Sequence, residues 1–260
     1  VKGISAIPGA PPLIACLALL ALWELAARLI GLDSLPTASE TLRGLPAILS
    51  DPRSLYDILS SVRRMVTGFA LALVFAVPVG LMMGRSRKVA AFFNPLFMMI
   101  YPVPKAALMP IIMLWLGIGD ASKTLVIFLG VSLPLIYHSY QGARAVGEKL
   151  LWSGAAMGMN GRERLLRIVL PAALPEIMVG CRTGLVLALI TMVTSEMIVR
   201  QAGVGNLLFN ALDMAQYDQV YATIVIVGVL GFVLDVAFEK LRGFVVGWAD
   251  PVHQIAVGSA

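Results

Sequence analysis

Trp152–Pro175 reads W-S-G-A-A-M-G-M-N-G-R-E-R-L-L-R-I-V-L-P-A-A-L-P and is the longest interval between strongly apolar segments after residue 90. It carries the arginines Arg162, Arg164 and Arg167, the acid Glu163, and a Leu-Pro pair at Pro171 and again at Pro175. The spacing predicts a short amphipathic helix over Arg162–Leu170. Leu165, Leu166, Val169 and Leu170 fall on one side, and Arg162, Glu163 and Arg167 largely on another. Pro171 is expected to stop or kink that helix, since its ring donates no amide hydrogen and clashes with the preceding turn. Gly154, Ala155, Ala156 and Gly158 leave almost no side-chain bulk, so the backbone there is open to close approach. A small, basic, kinked helical loop of this kind has the form of a docking surface.

Composition says what surrounds it. Of 260 residues 59% are hydrophobic and only 13% charged, against roughly 25% charged in average soluble domains. With a mean hydropathy of +0.88, the chain reads as a membrane protein. Its net charge of +5 reflects topology and anionic lipid, not nucleic acid. Cys16 and Cys181 lie isolated in apolar stretches, which argues against a disulfide framework or a metal site. His138 and His253, the two histidines, make no readable zinc site. No cleavage pattern marks a signal peptide.

Six apolar spans are expected. The first runs from about Pro12 to Ile30, with Glu24 and Arg28 placed as an i,i+4 pair in its far end. A polar loop over Asp33–Asp57 leads through an amphipathic Ser54–Arg64 into a second span ending near Gly84. Gly80 and Gly84 form a small-xxx-small pair suited to close helix packing, although chance is an open reading in a chain of 24 glycines. Arg85, Arg87 and Lys88 then make a compact basic turn, the mark of a cytoplasmic loop. The third segment, Ala90–Ile118, contains Pro95, Pro102, Pro104 and Pro110; a segment broken so often is tolerated inside protein or along a cavity. The fourth span is Ser122–Tyr140, the fifth about Leu174–Ile198 and the sixth about Tyr221–Leu241. The whole is expected to be one domain.

Gly117–Thr124 nearly spells a phosphate-binding loop, but Ser122 stands where a glycine is required and no strand precedes it. ATP hydrolysis by this chain is therefore not expected. Lys105, deep in the broken segment, reads either as a cation on the path of an anion, or as a side chain that snorkels to the interface or caps carbonyls freed near Pro102 and Pro104. Glu196 likewise reads either as a gate or substrate-proximal acid, or as half of an i,i+4 pair with Arg200. Arg182 faces either a cavity or a subunit interface. Met98, Met99, Met109, Met113 and Met192 read as adaptable lining residues, with ordinary packing as the commoner alternative, while Tyr101, Trp115 and Tyr137 read as interfacial or packing aromatics. No catalytic or metal-ligating constellation is found.

The quoted stretch resembles the coupling loop of importer permeases in the ATP-binding-cassette class, which reads E-A-A, three residues, Gly, nine residues, then I-x-L-P. Gly158, nine residues, and Ile168-Val169-Leu170-Pro171 match that spacing; Trp152, Ser153 and Gly154 occupy the E-A-A positions, so the acid is missing. Together with Y-P-V-P-K-A-A-L-M-P from Tyr101, L-W-L-G-I-G-D-A-S-K from Leu114 and the segment after Ile168, the chain is similar to the nitrate, taurine and aliphatic-sulfonate permeases from about Trp23 to Trp248. The resemblance implies an all-α, six-helix type I importer permease fold. It implies a small anion as cargo, with a vitamin precursor as the alternative; a channel with the broken third segment as its pore is the more distant reading, and it would not need a small-residue docking helix. It places ATPase coupling on Trp152, Ser153, Gly154, Ala155, Ala156, Gly158, Arg162, Arg164, Ile168, Leu170 and Pro171, within a cytoplasmic loop of about 143–174. It places the pathway on Lys105, Pro102, Pro104, Met109, Met113 and Glu196. The implied partners are a second copy, two cytoplasmic ATP-binding subunits, a periplasmic binding protein and membrane lipid, with no nucleic acid. ATP and Mg would belong to the ATPase, with no cofactor in this chain, and both termini would face the cytoplasm of a bacterial inner membrane.

Overall fold

The computed structural model describes residues 10–249, with side chains from residue 14 onward. His253 and the side chain of Pro12 lie outside the described residues. Among the described residues all regular structure is helical. The helices are α1 (Ala10–Ile30), α2 (Ala38–Ser50), α3 (Pro52–Arg85), α4 (Arg87–Ile100), α5 (Met109–Leu116), α6 (Asp120–Ala145), α7 (Glu148–Ala156), α8 (Gly161–Arg164), α9 (Leu170–Ile198), α10 (Val204–Asp213) and α11 (Tyr217–Val246).

Four stretches are long and apolar enough to cross a membrane: Pro52–Arg85, Asp120–Ala145, Gly161–Ile198 and Tyr217–Ala249. A fifth forms if α4 and the Lys105–Leu116 segment, bent by 84°, count as one broken span. The break expected from the prolines is therefore present. The first expected span falls on the 21-residue α1, which begins at the edge of the described residues and is not among these stretches. The amphipathic Ser54–Arg64 lead-in is not separate; it is the first third of α3.

The chain forms two compact units, one of residues up to Ser60 with Ala202–Val229, the other of Ser61–Gln201 with the chain from Leu230. In the first, the Trp23 and Tyr221 rings lie 5.7 Å apart, and Trp23 Nε1 donates to the Pro36 carbonyl at 3.1 Å. Arg28 donates to Glu24 at 2.6 Å, the expected pair. The other Glu24 oxygen accepts from the Ser39 amide at 3.0 Å, which fastens α1 to α2. Helix α2 starts on a Thr37 capping box with Glu40, satisfying donors that a helix start leaves unpaired. Its inner face meets α11 through a small core of Ile48, Ala222 and Ile226.

In the second unit, close packing comes from small residues. A Cβ on Gly80 would stand 2.5 Å from Ser139 Cβ and 2.6 Å from the Ile136 carbonyl, and one on Gly84 would stand 2.5 Å from Ala143 Cβ. The small-xxx-small pair thus sets α3 directly on α6. Gly130 and Gly180 do the same between α6 and α9, against Thr191 and His138. Without a hydrophobic drive between helices in lipid, such backbone approach and the dispersion contacts it permits hold a bundle together. The main core follows these seams, with Met65, Ala72, Ile127, Val131, Leu135 and Ala188 buried.

Two expectations at the quoted stretch are corrected. Pro171 neither stops nor sharply kinks its helix, which runs unbroken from Gly161 to Ile198. A π turn over Leu165–Val169 absorbs it, with the Leu170 amide donating to the Leu165 carbonyl five residues back. Widening the turn just upstream relieves the clash that proline makes with the preceding turn. The wider turn also changes the faces: Val169 is buried and Leu165 half-buried, but Leu166 faces outward at 49% exposure.

Candidate functional site

The Trp152–Pro175 stretch folds as a helical hairpin. Helix α7 ends at Ala156 with Met157 as its C-cap, and the chain reverses through Gly158 at φ +82°. There the Gly158 amide donates to the Ala155 carbonyl and the Met159 amide to the Gly154 carbonyl, both at 3.0 Å. This is a Schellman closure, whose left-handed position is occupied at least cost by glycine. Two residues later Asn160 opens α8: its Oδ1 accepts from the Glu163 amide and its own amide donates to Glu163 Oε2, each at 2.9 Å. Stop and start signals are thus written back to back, which fixes the angle of the hairpin.

The two glycines serve the chain itself. Gly158 supplies the turn, and Gly154 lets α7 lie on the return helix, where an added Cβ would stand 2.6 Å from Ile168 Cδ1. Leu151 and Gly154, three residues apart, are the buried face of α7. On the outside stand Trp152, Ser153, Ala155 and Ala156, with Leu150 and Met157 also exposed. Arg162 and Arg167 are exposed beside Leu166, while Arg164, Ile168 and Leu170 are half-buried. The outer surface is therefore an apolar patch edged by guanidiniums. Trp152, standing where the resemblance has an acid, is its largest member. Glu148, one turn earlier, accepts from Arg85 at 2.8 Å, so that carboxylate ties α7 to the end of α3.

A cavity of about 520 Å³ lies among α4, α6 and α9. Phe97, Met98, Tyr101, Tyr137 and Tyr140 give it aromatic and apolar walls, with Asn94, His138 and Thr183 as polar members. The His138 ring is fixed by its Nδ1 at 2.8 Å from Glu176 Oε1. A chamber that is mostly apolar with a few oriented polar groups has the lining typical of small-molecule sites.

The residues expected along a pathway fall in three places, none of them in the lining of this chamber. Pro102, Pro104 and Lys105 form the bend just beyond Tyr101. There Lys105 Nζ donates to the carbonyls of Ile100 at 2.6 Å, Tyr101 at 3.2 Å and Val103 at 2.7 Å. It carries out the capping reading, replacing donors that the broken helix lacks. Met109 is buried and Met113 packs beside it in a small core with Ile112, Val126 and Val199. Glu196 is wholly buried at the end of α9, accepting from Ser61 at 2.8 Å and from Arg64 at 2.7 Å. Arg64 and Arg63 also hold Asp120, the first residue of α6. Arg182 settles on α11, its Nε and Nη2 each 2.9 Å from an Asp235 oxygen. In the near-phosphate loop, Lys123 is buried at 1% exposure.

The chamber residues Asn94, His138 and Thr183 were not singled out from sequence. Their signal is a helical stripe: Asn94, Phe97, Met98 and Tyr101 follow an i, i+3, i+4, i+7 spacing, and Pro134, Tyr137 and His138 repeat part of it.

Residues 76–242 match the family model described as the binding-protein-dependent transport system inner membrane component. The taurine transport system permease protein TauC of Escherichia coli (strain K12) is 29% identical over 225 residues, covering 84% of this chain and 82% of that protein. A protein named for aliphatic sulfonates transport, the permease SsuC of Bacillus subtilis (strain 168), is 30% identical over 190 residues, covering 73% and 69%. The solved structure of inward-facing MetNI methionine ABC transporter aligns with a TM-score of 0.66 at 14% identity, covering 74% of this chain and 95% of that one. At that identity it shows the fold.

Proposed function

Since the chain belongs to the binding-protein-dependent transport system inner membrane component family, we propose that it is the membrane-spanning subunit of an ATP-driven importer for a small organic anion such as a sulfonate. The observation that carries this is the hairpin around Gly158, an exposed apolar patch flanked by Arg162 and Arg167 and continuous with a membrane-spanning helix. A cytoplasmic ATPase, which holds the ATP and Mg, grips that patch; Trp152, Ser153, Ala155 and Ala156 meet it, and Gly154, Gly158, Arg164, Ile168, Leu170 and Pro171 shape it. Two copies of the chain pair in the bacterial inner membrane with two such ATPases, and a periplasmic binding protein delivers the anion. Both termini lie in the cytoplasm.

Closure of the ATPases on ATP moves the two hairpins, and the spans follow between inward- and outward-open states; the chain supplies the two-state element that nucleotide and cargo bias. The chamber bounded by Phe97, Tyr101, Tyr137 and His138 lies on the path. Lys105, Pro102 and Pro104 hold its rim, while Met109, Met113 and Glu196 brace the helices behind it.

The test is co-expression with a neighbouring ATPase and binding protein, followed by reconstitution in proteoliposomes. Stoichiometric co-purification and ATP-dependent uptake of taurine or an alkanesulfonate are expected. A permease that purifies alone and leaks anions without ATP overturns the reading in favour of a channel.

A further inference from the structure

A second cavity, of about 680 Å³, opens where α3, α4, α6 and α7 meet. Its polar lining is Arg85, Arg87, Asn94, Tyr140, Arg144 and Glu148. Three guanidiniums thus face one space with a single carboxylate, and that carboxylate is held by Arg85 at 2.8 Å. Arg144 is positioned in advance: its Nη1 donates to the Tyr140 hydroxyl at 2.8 Å, and its guanidinium carbon sits 5.8 Å from that ring's centre. Like charges gathered around one cavity repel unless an anion lies between them, and guanidinium forks match oxyanions in geometry. The volume falls in the range of pockets for organic ligands, beyond the need of a bare inorganic ion.

We infer that this cavity binds a phosphate-type oxyanion carried on a small organic body, and that the occupant competes with Glu148 for Arg85. The second half rests on the coupling role proposed above for α7, because Glu148 is that helix's first residue. An anion on Arg85 frees this end of the hairpin and lowers ATP turnover in the assembled importer. The same chemistry is offered by the headgroup of an anionic phospholipid and by a soluble phosphomonoester.

The test uses the full permease–ATPase complex in nanodiscs, with Cys16→Ala and Cys181→Ala and a single reporter, Ala91→Cys, in the cavity wall. The rate of its modification by a water-soluble maleimide is followed. In phosphatidylcholine discs glycerol 3-phosphate should slow the reaction, and Arg87→Gln with Arg144→Gln should weaken that protection about tenfold or more, with Arg144→Lys restoring part of it. Glu148→Gln, which weakens the competitor, should tighten it. If phosphatidylglycerol discs protect the thiol unaided and glycerol 3-phosphate adds nothing, the occupant is the lipid headgroup; protection by the solute alone identifies a soluble ligand. A rate indifferent to both, or equal protection in the double Gln variant, overturns the site. A Glu148→Gln complex that binds like wild type overturns the competition. Uptake followed in parallel separates the two readings: protection without uptake spares this site, and uptake without protection removes it alone.

Discussion

The Arg64 guanidinium and the Glu196 carboxylate, 132 residues apart in sequence, meet at 2.7 Å with only 4% and 0% of their side chains exposed. Ser61 donates its hydroxyl to the same carboxylate, and Arg64 also reaches Asp120. One network therefore joins the start of the membrane part of α3, the start of α6 and the end of α9. Burying charge is costly, and removing one partner costs more than the pair itself contributes. Arg64→Leu should destabilise the protein by about 3 kcal/mol, and Arg64→Leu with Glu196→Leu should recover much of that. Unfolding in detergent, run as a double-mutant cycle, checks this; additive effects would remove the coupling.

Gly158 stands at φ +82°, a conformation costing side-chain-bearing residues roughly 1–2 kcal/mol. Gly158→Ala should lower hairpin stability by that amount and reduce ATP-coupled uptake. Gly154→Ala differs in kind, because its new methyl overlaps the flexible end of Ile168 and meets Arg164 Cγ and Met159 Sδ at ordinary contact distance. Combining it with Ile168→Val should restore uptake, whereas Gly158→Ala should gain nothing from the same partner change.

At Gly80 the obstacle is backbone: an added methyl meets the Ile136 carbonyl at 2.6 Å and the Tyr140 amide at 2.9 Å. Gly80→Ala should therefore force α3 away from α6 and cost about 1–3 kcal/mol, as overpacking does. Gly228→Ala, with open space around it, serves as the control and should melt like wild type.

Lys105 caps three carbonyls at the break in the third segment. Lys105→Met leaves them without that donor and should lower stability by about 1–3 kcal/mol. Lys105→Gln keeps part of the donor capacity and should fall between. If the methionine variant unfolds like wild type but uptake is abolished, the lysine acts on the cargo and not on the bend.

The Thr37 amide, followed by the Thr37 hydroxyl, holds the Glu40 carboxyl below its ordinary value of 4.5. Its folded-state value is depressed, so its contribution is complete above pH 4.5 and is lost as pH falls through the lower folded value. Glu40→Gln should flatten the acid limb of the stability profile and leave neutral pH nearly unchanged. A thermal-shift series across the acid range reads this directly.

What was legible in the sequence was local. The Glu24–Arg28 pair, the break among Pro102 and Pro104, the seam at Gly80 and Gly84, and the Gly158-to-Pro171 spacing each follow from residues within a few turns of one another. What was not legible needed knowledge of facing helices. Glu196 finds Arg64 and Ser61 across the bundle, Arg182 finds Asp235, and His138 finds Glu176; no spacing within one helix announces such partners. The chamber was missed for the same reason, since an aromatic stripe says nothing of what stands opposite. The effect of Pro171 is not local either: the Leu165–Val169 turn spreads it over five residues.

That wide turn has a mechanical corollary. A joint would dissipate a push on the Arg162–Arg164 end before it reached Glu196, but an unbroken rod of 38 residues has none to offer. In the coupling proposed above, displacement entering at one end would emerge at the other as tilt or rotation, with the hairpin as the short arm of a lever whose long arm is α9 itself.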